Sequence, residues 1–126
     1  MKVIFKKQVV AGVVLGCLLL PAAMIGAAGT QVSGTLNTRN PLTSGPQGYA
    51  YTYGFQTITA KVTASKEGYT TTSLTASKNA GSSANSVETD WLTGPTYASA
   101  GTTFNSVHTG YNIDGVYQTL YSSKSF

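Results

Sequence analysis

The residues of this sequence that could perform acid–base or nucleophilic catalysis are few. His108 is the only histidine, and it lies two residues after Ser106, so both side chains point to the same side of an extended strand. With a carboxylate from Asp90 or Asp114, this pair would have the residue types of a hydrolase triad. Ser106 is not part of a Gly-x-Ser-x-Gly elbow, and such pairs arise by chance in a serine-rich chain. We therefore predict a structural role for His108.

A pair of carboxylates beside an aromatic residue suggests a second kind of chemistry. Glu88 and Asp90 share one side of a predicted strand, next to Trp91, and these are the residue types of a glycoside hydrolase. Catalytic carboxylates must approach the scissile bond from opposite sides, whereas carboxylates two residues apart on a strand point in the same direction. We predict that both side chains are solvent-exposed and carry no catalytic role.

Metal chemistry has little support in the sequence. The segment around Asp114 offers too few oxygen ligands for a specific calcium site. Zinc sites need several histidine or cysteine ligands, and the chain has one of each, His108 and Cys17. We predict a non-enzymatic protein that needs no metal and no cofactor.

An aromatic row has the strongest periodicity in the chain. Its members occupy alternate positions and are separated by small residues. The aromatic members are Tyr49, Tyr51, Tyr53 and Phe55, and the small ones are Ala50, Thr52 and Gly54. We predict that the aromatic side faces the core together with Trp91, because the chain has few large aliphatic residues. The alternative is an exposed aromatic binding surface, formed by the same five aromatic residues, that stacks on sugar rings or on a lipid interface. The small residues of the opposite side would permit close approach of a second sheet or chain.

The apolar positions change from odd to even numbers after this row. Ile58, Ala60 and Val62 are even-numbered, so one regular strand cannot keep both sets on one side, and we predict a bulge or bend at residues 54–56. Residues 65–68 form a predicted turn with Gly68 at positive φ. The sequence therefore predicts an antiparallel hairpin that pairs residues 57–65 with residues 69–77.

The rest of the chain continues in short strands separated by turn residues. Strands are predicted at residues 31–36, 87–92, 97–109 and 116–122, with a turn at Asp114-Gly115. No helix is predicted beyond the N-terminal segment. This pattern predicts an all-β fold, a small antiparallel β-sandwich of Ig-like or related type with about seven short strands, preceded by a hydrophobic signal helix.

The N-terminal segment has the plan of a bacterial signal peptide. Residues 1–7 carry three lysines, residues 9–29 are without charge, and small residues include Gly26 and Ala28 at the positions a signal peptidase reads. We predict that residues 1–28 are cleaved, that residues 29–47 form an N-terminal strand and loop, and that residues 48–126 form the β-sandwich domain. An uncleaved membrane anchor and lipidation at Cys17 are the alternatives. Each of these places the domain outside the cytoplasmic membrane.

The charge distribution limits the partners. The net charge is +4 for the whole chain, but residues 29–126 have five basic and four acidic residues, and the basic ones are scattered. Nucleic-acid binding needs clustered basic residues and is not predicted. Contact with the membrane is predicted only through the signal segment.

These observations predict a secreted or cell-surface bacterial protein that acts by binding or by self-association, with a cell-surface or glycan partner. Few charges are present to prevent pairing of strand edges. The general plan resembles that of several small exported bacterial proteins, including some bacteriocins, so a bacteriocin-like secreted toxin is the alternative. A small secreted hydrolase, which would depend on His108, is the third hypothesis.

Overall fold

The computed structural model describes residues 31–79 and 81–126, and the predicted signal peptide lies outside the described residues. The described part is all-β and contains no helix. Its strands are β1 (Ser33–Arg39), β2 (Gln47–Ser65), β3 (Thr72–Asn79), β4 (Asn85–Glu88), β5 (Leu92–Thr93), β6 (Thr103–Tyr111) and β7 (Tyr117–Ser125). Accordingly, these residues include no helix that is long and apolar enough to cross a membrane.

The 19-residue strand β2 organises a single antiparallel sheet. Its first half pairs with β1 on one side and with β4 and β5 on the other. Its second half lies between β3 and β6, and β7 pairs with the far side of β6. The predicted all-β antiparallel architecture is confirmed. Since all seven strands belong to one curled sheet, the finer Ig-like sandwich stays a prediction.

A bulge divides β2 into these two halves, as the sequence predicts. Gln56 has φ 58°, a left-handed conformation that is unusual for a residue other than glycine. The register with β6 shifts between Phe55 and Thr59, and the Gln56 amide donates to the carbonyl of Gly81 at 2.9 Å. The sheet curls, and the inner sides of its two halves meet. A Cβ at Gly48, in the first half, would lie 2.8 Å from the ring of Phe104 in β6.

The core lies on the even-numbered side of β2 along the whole strand. Ala50, Thr52, Ile58, Ala60, Val62 and Ala64 are all fully buried there. The buried side of β2 therefore does not change at the bulge. The bulge lies where the sequence predicts it, but the predicted reason is wrong, because the odd-numbered tyrosines and the even-numbered aliphatic residues stay on opposite sides of β2. Phe104 is the largest fully buried side chain and fills the space between the two halves, where it also packs against Phe126 at 6.2 Å between ring centroids.

The predicted core position of the aromatic row is consequently wrong for three of its members. Tyr49, Tyr51 and Tyr53 are half-buried on the outer side, while Phe55 at the bulge is 8% exposed and does belong to the interior. Trp91, which the sequence predicts to join them in the core, is also only half-buried, so that prediction is wrong as well. The small residues between them let the other half of the sheet approach closely, so a thin interior needs few bulky side chains. The sequence predicts that a second sheet or chain can closely approach Ala50, Thr52 and Gly54, and here it is the second half of the same curled sheet that does so.

The local predictions are largely confirmed. Residues 57–64 of β2 pair with β3, although β3 begins at Thr72, three residues after the predicted start. Gly68 has positive φ, as does Gly115 in the turn between β6 and β7. The predicted strand at residues 87–92 is split into β4 and β5, and Trp91 lies between them.

Candidate functional site

The outer side of the first half of the sheet carries three tyrosines in line. Tyr49, Tyr51 and Tyr53 occupy alternate positions of β2, and alternate side chains of a strand point to the same side. Four residues at about 3.3 Å per residue place the first and last tyrosine about 13 Å apart. Each is half-buried, so part of each side chain remains available to a ligand. We call these residues, together with Trp91, the aromatic surface.

Polar side chains border the aromatic surface on both sides. On β1, Asn37 lies opposite Tyr49 and Thr35 lies opposite Tyr51. On β4, Glu88 lies opposite Tyr51. Because residues directly opposite each other on neighbouring strands share a side of the sheet, an amide, a hydroxyl and a carboxylate flank the rings. These groups can accept or donate hydrogen bonds beside a stacked ligand.

Trp91 is held in place by two neighbours. Its ring centroid lies 4.6 Å from that of Tyr49, at an interplanar angle of 76°, which is an edge-to-face contact. The guanidinium carbon of Arg39 lies 3.9 Å from the centroid of the indole ring, in a cation–π contact. Arg39 Nε also donates to Gln47 Oε1 at 2.8 Å, and Gln47 Nε2 donates to Thr93 Oγ1 at 3.0 Å. This chain of hydrogen bonds crosses β1, β2 and β5 and fixes the position of the guanidinium.

An open depression of about 270 Å³ adjoins Trp91. It is lined by Tyr49, Glu88, Thr89, Asp90 and Trp91. Thr89 is buried, and it exchanges two hydrogen bonds with the backbone of Ala50: its amide donates to the Ala50 carbonyl, and its Oγ1 accepts from the Ala50 amide, both at 3.0 Å. Glu88 and Asp90 are exposed, as predicted from their spacing. The depression therefore combines the rings of Tyr49 and Trp91 with two exposed carboxylates, and Thr89 among them is held by hydrogen bonds to the backbone of β2.

The structure brings together four of the five residues predicted as an aromatic binding surface. Phe55 is excluded because it is buried at the bulge, where its ring centroid lies 6.4 Å from that of Tyr53. The contribution of Arg39 and Gln47 to this surface is not predicted from the sequence. They face each other across the β1–β2 hairpin, and the predicted first strand ended at residue 36, too early to place Arg39 in the sheet.

His108 lies in the interior and is not part of an accessible site. Its Nδ1 is 2.9 Å from Thr52 Oγ1, and its Nε2 is 2.7 Å from Ser106 Oγ. In a triad a carboxylate would orient Nδ1, but here a threonine hydroxyl takes that place. The exposed fractions of the three residues are 0% for His108, 0% for Thr52 and 1% for Ser106, so a substrate has no access. This geometry agrees with a structural role.

Burial lowers the pKa of His108 to about 4, against a smaller opposing effect of a hydrogen bond with the Tyr51 backbone. The imidazole is therefore neutral at pH 7, with one nitrogen donating to a hydroxyl and the other accepting from one. Thr52 belongs to the first half of the sheet and Ser106 to the second, so the ring joins the two halves. Gly34 packs against it so closely that a Cβ there would lie 2.1 Å from Cγ of His108.

Within residues 31–79 and 81–126, no three histidine, cysteine, aspartate or glutamate residues are grouped so that they could hold a metal ion. Comparison with protein-family models, with curated proteins and with solved structures finds no match.

Proposed function

We propose that this chain is an exported bacterial binding domain without catalytic activity, and that it recognises a glycan through the aromatic surface. The observation that carries the proposal is the row Tyr49, Tyr51 and Tyr53 with Trp91, half-buried on the outer side of the sheet and bordered by polar side chains. Large aromatic residues that lie together at the surface, outside the core, are typical of a binding site.

Glycans fit this arrangement because of their own chemistry. A sugar ring presents C–H groups on its faces and hydroxyl groups on its rim, so it stacks on an aromatic ring while its hydroxyls bond to polar neighbours. A row about 13 Å long can contact more than one sugar ring along an extended chain. Asn37, Thr35 and the exposed carboxylates of Glu88 and Asp90 supply the polar partners. A few polar groups around an aromatic centre are the usual composition of a binding site.

The surface is also preorganised. Trp91 is held between Tyr49 and Arg39, and Arg39 is itself held by Gln47. Side chains that are already fixed lose little conformational freedom when a ligand binds, which leaves more of the contact energy for affinity.

Export is the second part of the proposal. The order of positive, apolar and small residues in residues 1–28 supports a signal peptide that is cleaved or retained as an anchor, and either outcome presents the domain to extracellular or cell-surface glycans. We further propose that the two halves of the curled sheet act as the two layers of a small β-sandwich, which is supported by the contact of Phe104 with Gly48.

The proposal is tested by screening the protein, expressed from the full-length sequence, against immobilised glycans and purified cell-wall polysaccharides. Tyr51→Ala is expected to weaken binding at least about tenfold, because about 1.4 kcal/mol of lost stacking corresponds to that factor. Tyr69→Ala is the matched control, because Tyr69 is 53% exposed in the turn between β2 and β3, outside the aromatic surface. Its binding should equal that of the unaltered protein.

Two results would contradict the proposal. One is the absence of binding to every glycan tested. The other is equal binding by Tyr51→Ala and the unaltered protein, with circular dichroism showing that both are folded.

A further inference from the structure

The strand β7 ends the sheet on one side. It pairs with β6 through nine consecutive residues, and no strand among the described residues pairs with its other side. The strand β1 packs near β7, and just before β1 the Val32 amide donates to Gln118 Oε1 at 3.0 Å and Gln118 Nε2 donates to Gln31 Oε1 at 2.9 Å. These are contacts of the Gln118 side chain. The backbone N–H and C=O groups along the edge are paired with no other described strand, so they are available to one. Proteins usually protect such an edge with a proline, a bulge, several charges or a very short strand. β7 contains no proline and no bulge, it is nine residues long, and its only charge is on Lys124.

Exposed apolar side chains are concentrated at the same place. Of the eight large hydrophobic or aromatic residues that are most exposed in the described part of the chain, five lie on β7 or in the turn before it. They are Ile113, Val116, Tyr117, Leu120 and Tyr121. Tyr121, near the middle of β7, is 65% exposed. Exposed apolar side chains along an unpaired edge are typical of an interaction site.

We propose that β7 pairs antiparallel with β7 of a second copy of this chain, across a two-fold axis at Tyr121. In this register all nine residues of β7 are paired, and Tyr121 lies opposite Tyr121 of the second copy. Lys124 lies opposite the uncharged Gln118 of the second copy, so the two Lys124 side chains of the dimer are not placed opposite each other. Thr119 lies opposite Ser123, which pairs two hydroxyls. The sequence of β7 is thus complementary to itself, and a two-fold contact closes at two copies.

The dimer contact is independent of the aromatic surface. β7 borders the second half of the sheet, whereas the aromatic surface lies on the outer side of the first half. Either could fail its test without the other. Together they would present two aromatic surfaces in one particle, which strengthens binding to a polymeric glycan without any new contact to it.

The test measures the mass of the protein, expressed from the full-length sequence, by sedimentation equilibrium. The unaltered protein is expected to be a dimer. Tyr121→Lys places two lysines opposite each other and should raise the dimer dissociation constant at least about tenfold. Tyr121→Glu should do the same. An equimolar mixture of the two variants should dimerise again, because opposite charges then meet at the two-fold axis.

The control is Tyr69→Lys, which makes the same charge change at an exposed tyrosine away from β7 and should leave the dimer intact. Should Tyr121→Lys lose its β signal in circular dichroism, the double variant Thr119→Lys/Ser123→Lys tests the same edge, because these two exposed positions lie opposite each other in the proposed register and would bring lysines together. A monomer at every attainable concentration overturns the proposal, as does a dimer unaffected by these variants. Open-ended polymers would also overturn it, because they require a contact between two different edges.

Discussion

Acidification should destabilise this protein through His108. The ordinary pKa of 6.5 applies to the unfolded chain, and burial lowers the pKa to about 4 in the folded one. Between these values the unfolded state binds more protons, so the free energy of unfolding falls as the pH falls from 6.5 to 4 and is fully retained above pH 6.5. A difference of about 2.5 pKa units, at about 1.4 kcal/mol each, corresponds to about 3 kcal/mol.

Urea denaturation at a series of pH values between 7.5 and 3.5 measures this loss directly. His108→Gln provides the comparison, because glutamine can still donate and accept hydrogen bonds with Thr52 and Ser106 but does not titrate. It should be less stable at pH 7, and the difference between the two proteins should shrink by about 3 kcal/mol across the window. The carboxylates are present in both proteins and cancel in the comparison. A difference that stays constant with pH would falsify the assignment of the buried, neutral ring.

Substitutions in the interior and in the aromatic surface should change the stability of the protein, and the leader should determine its mature mass. Gly34→Ala should cost at least about 3 kcal/mol or prevent folding, because its Cβ would overlap the His108 ring; a melting temperature close to that of the unaltered protein would contradict this. Phe104→Ala should cost about 3–5 kcal/mol, and Tyr51→Ala clearly less, since only Phe104 is fully buried; equal losses in urea denaturation would argue that Tyr51 belongs to the core. The intact mass of protein recovered from the medium should correspond to cleavage after Ala28, whereas a membrane-bound product of full mass would show an anchor.

The sequence predicts the strands, the turns and the bulge, but it does not predict which side of β2 is buried. Alternation identifies two sides, and local turn residues such as Gly68 and Asp114-Gly115 determine where strands end. The choice of the inner side depends on what packs against it. Phe104 and His108 lie 56 residues further along the chain than Gly48 and Thr52, and only the curl at Gln56 brings each against its partner.

The aromatic surface is a similar case. Its tyrosines are evident from their spacing, and the sequence also predicts Trp91 as a member. The contact of Trp91 with Arg39 could not be predicted, because it joins β1 to the segment between β4 and β5, which are neighbours only through β2. Phe55 continues the same alternation in the sequence but is removed from the surface by the bulge.

The most direct measurement of the central claim uses the fluorescence of Trp91, which is the only tryptophan of the chain and therefore reports on the aromatic surface alone. The probes are soluble oligosaccharides of the glucan, chitin and mannan types and soluble peptidoglycan fragments. At least one is expected to shift the emission of the unaltered protein in a saturable manner and to protect the indole from quenching by acrylamide. The shift should be lost in Tyr51→Ala and retained in Tyr69→Ala. An emission spectrum that no probe changes, or that changes equally in Tyr51→Ala, would contradict the account.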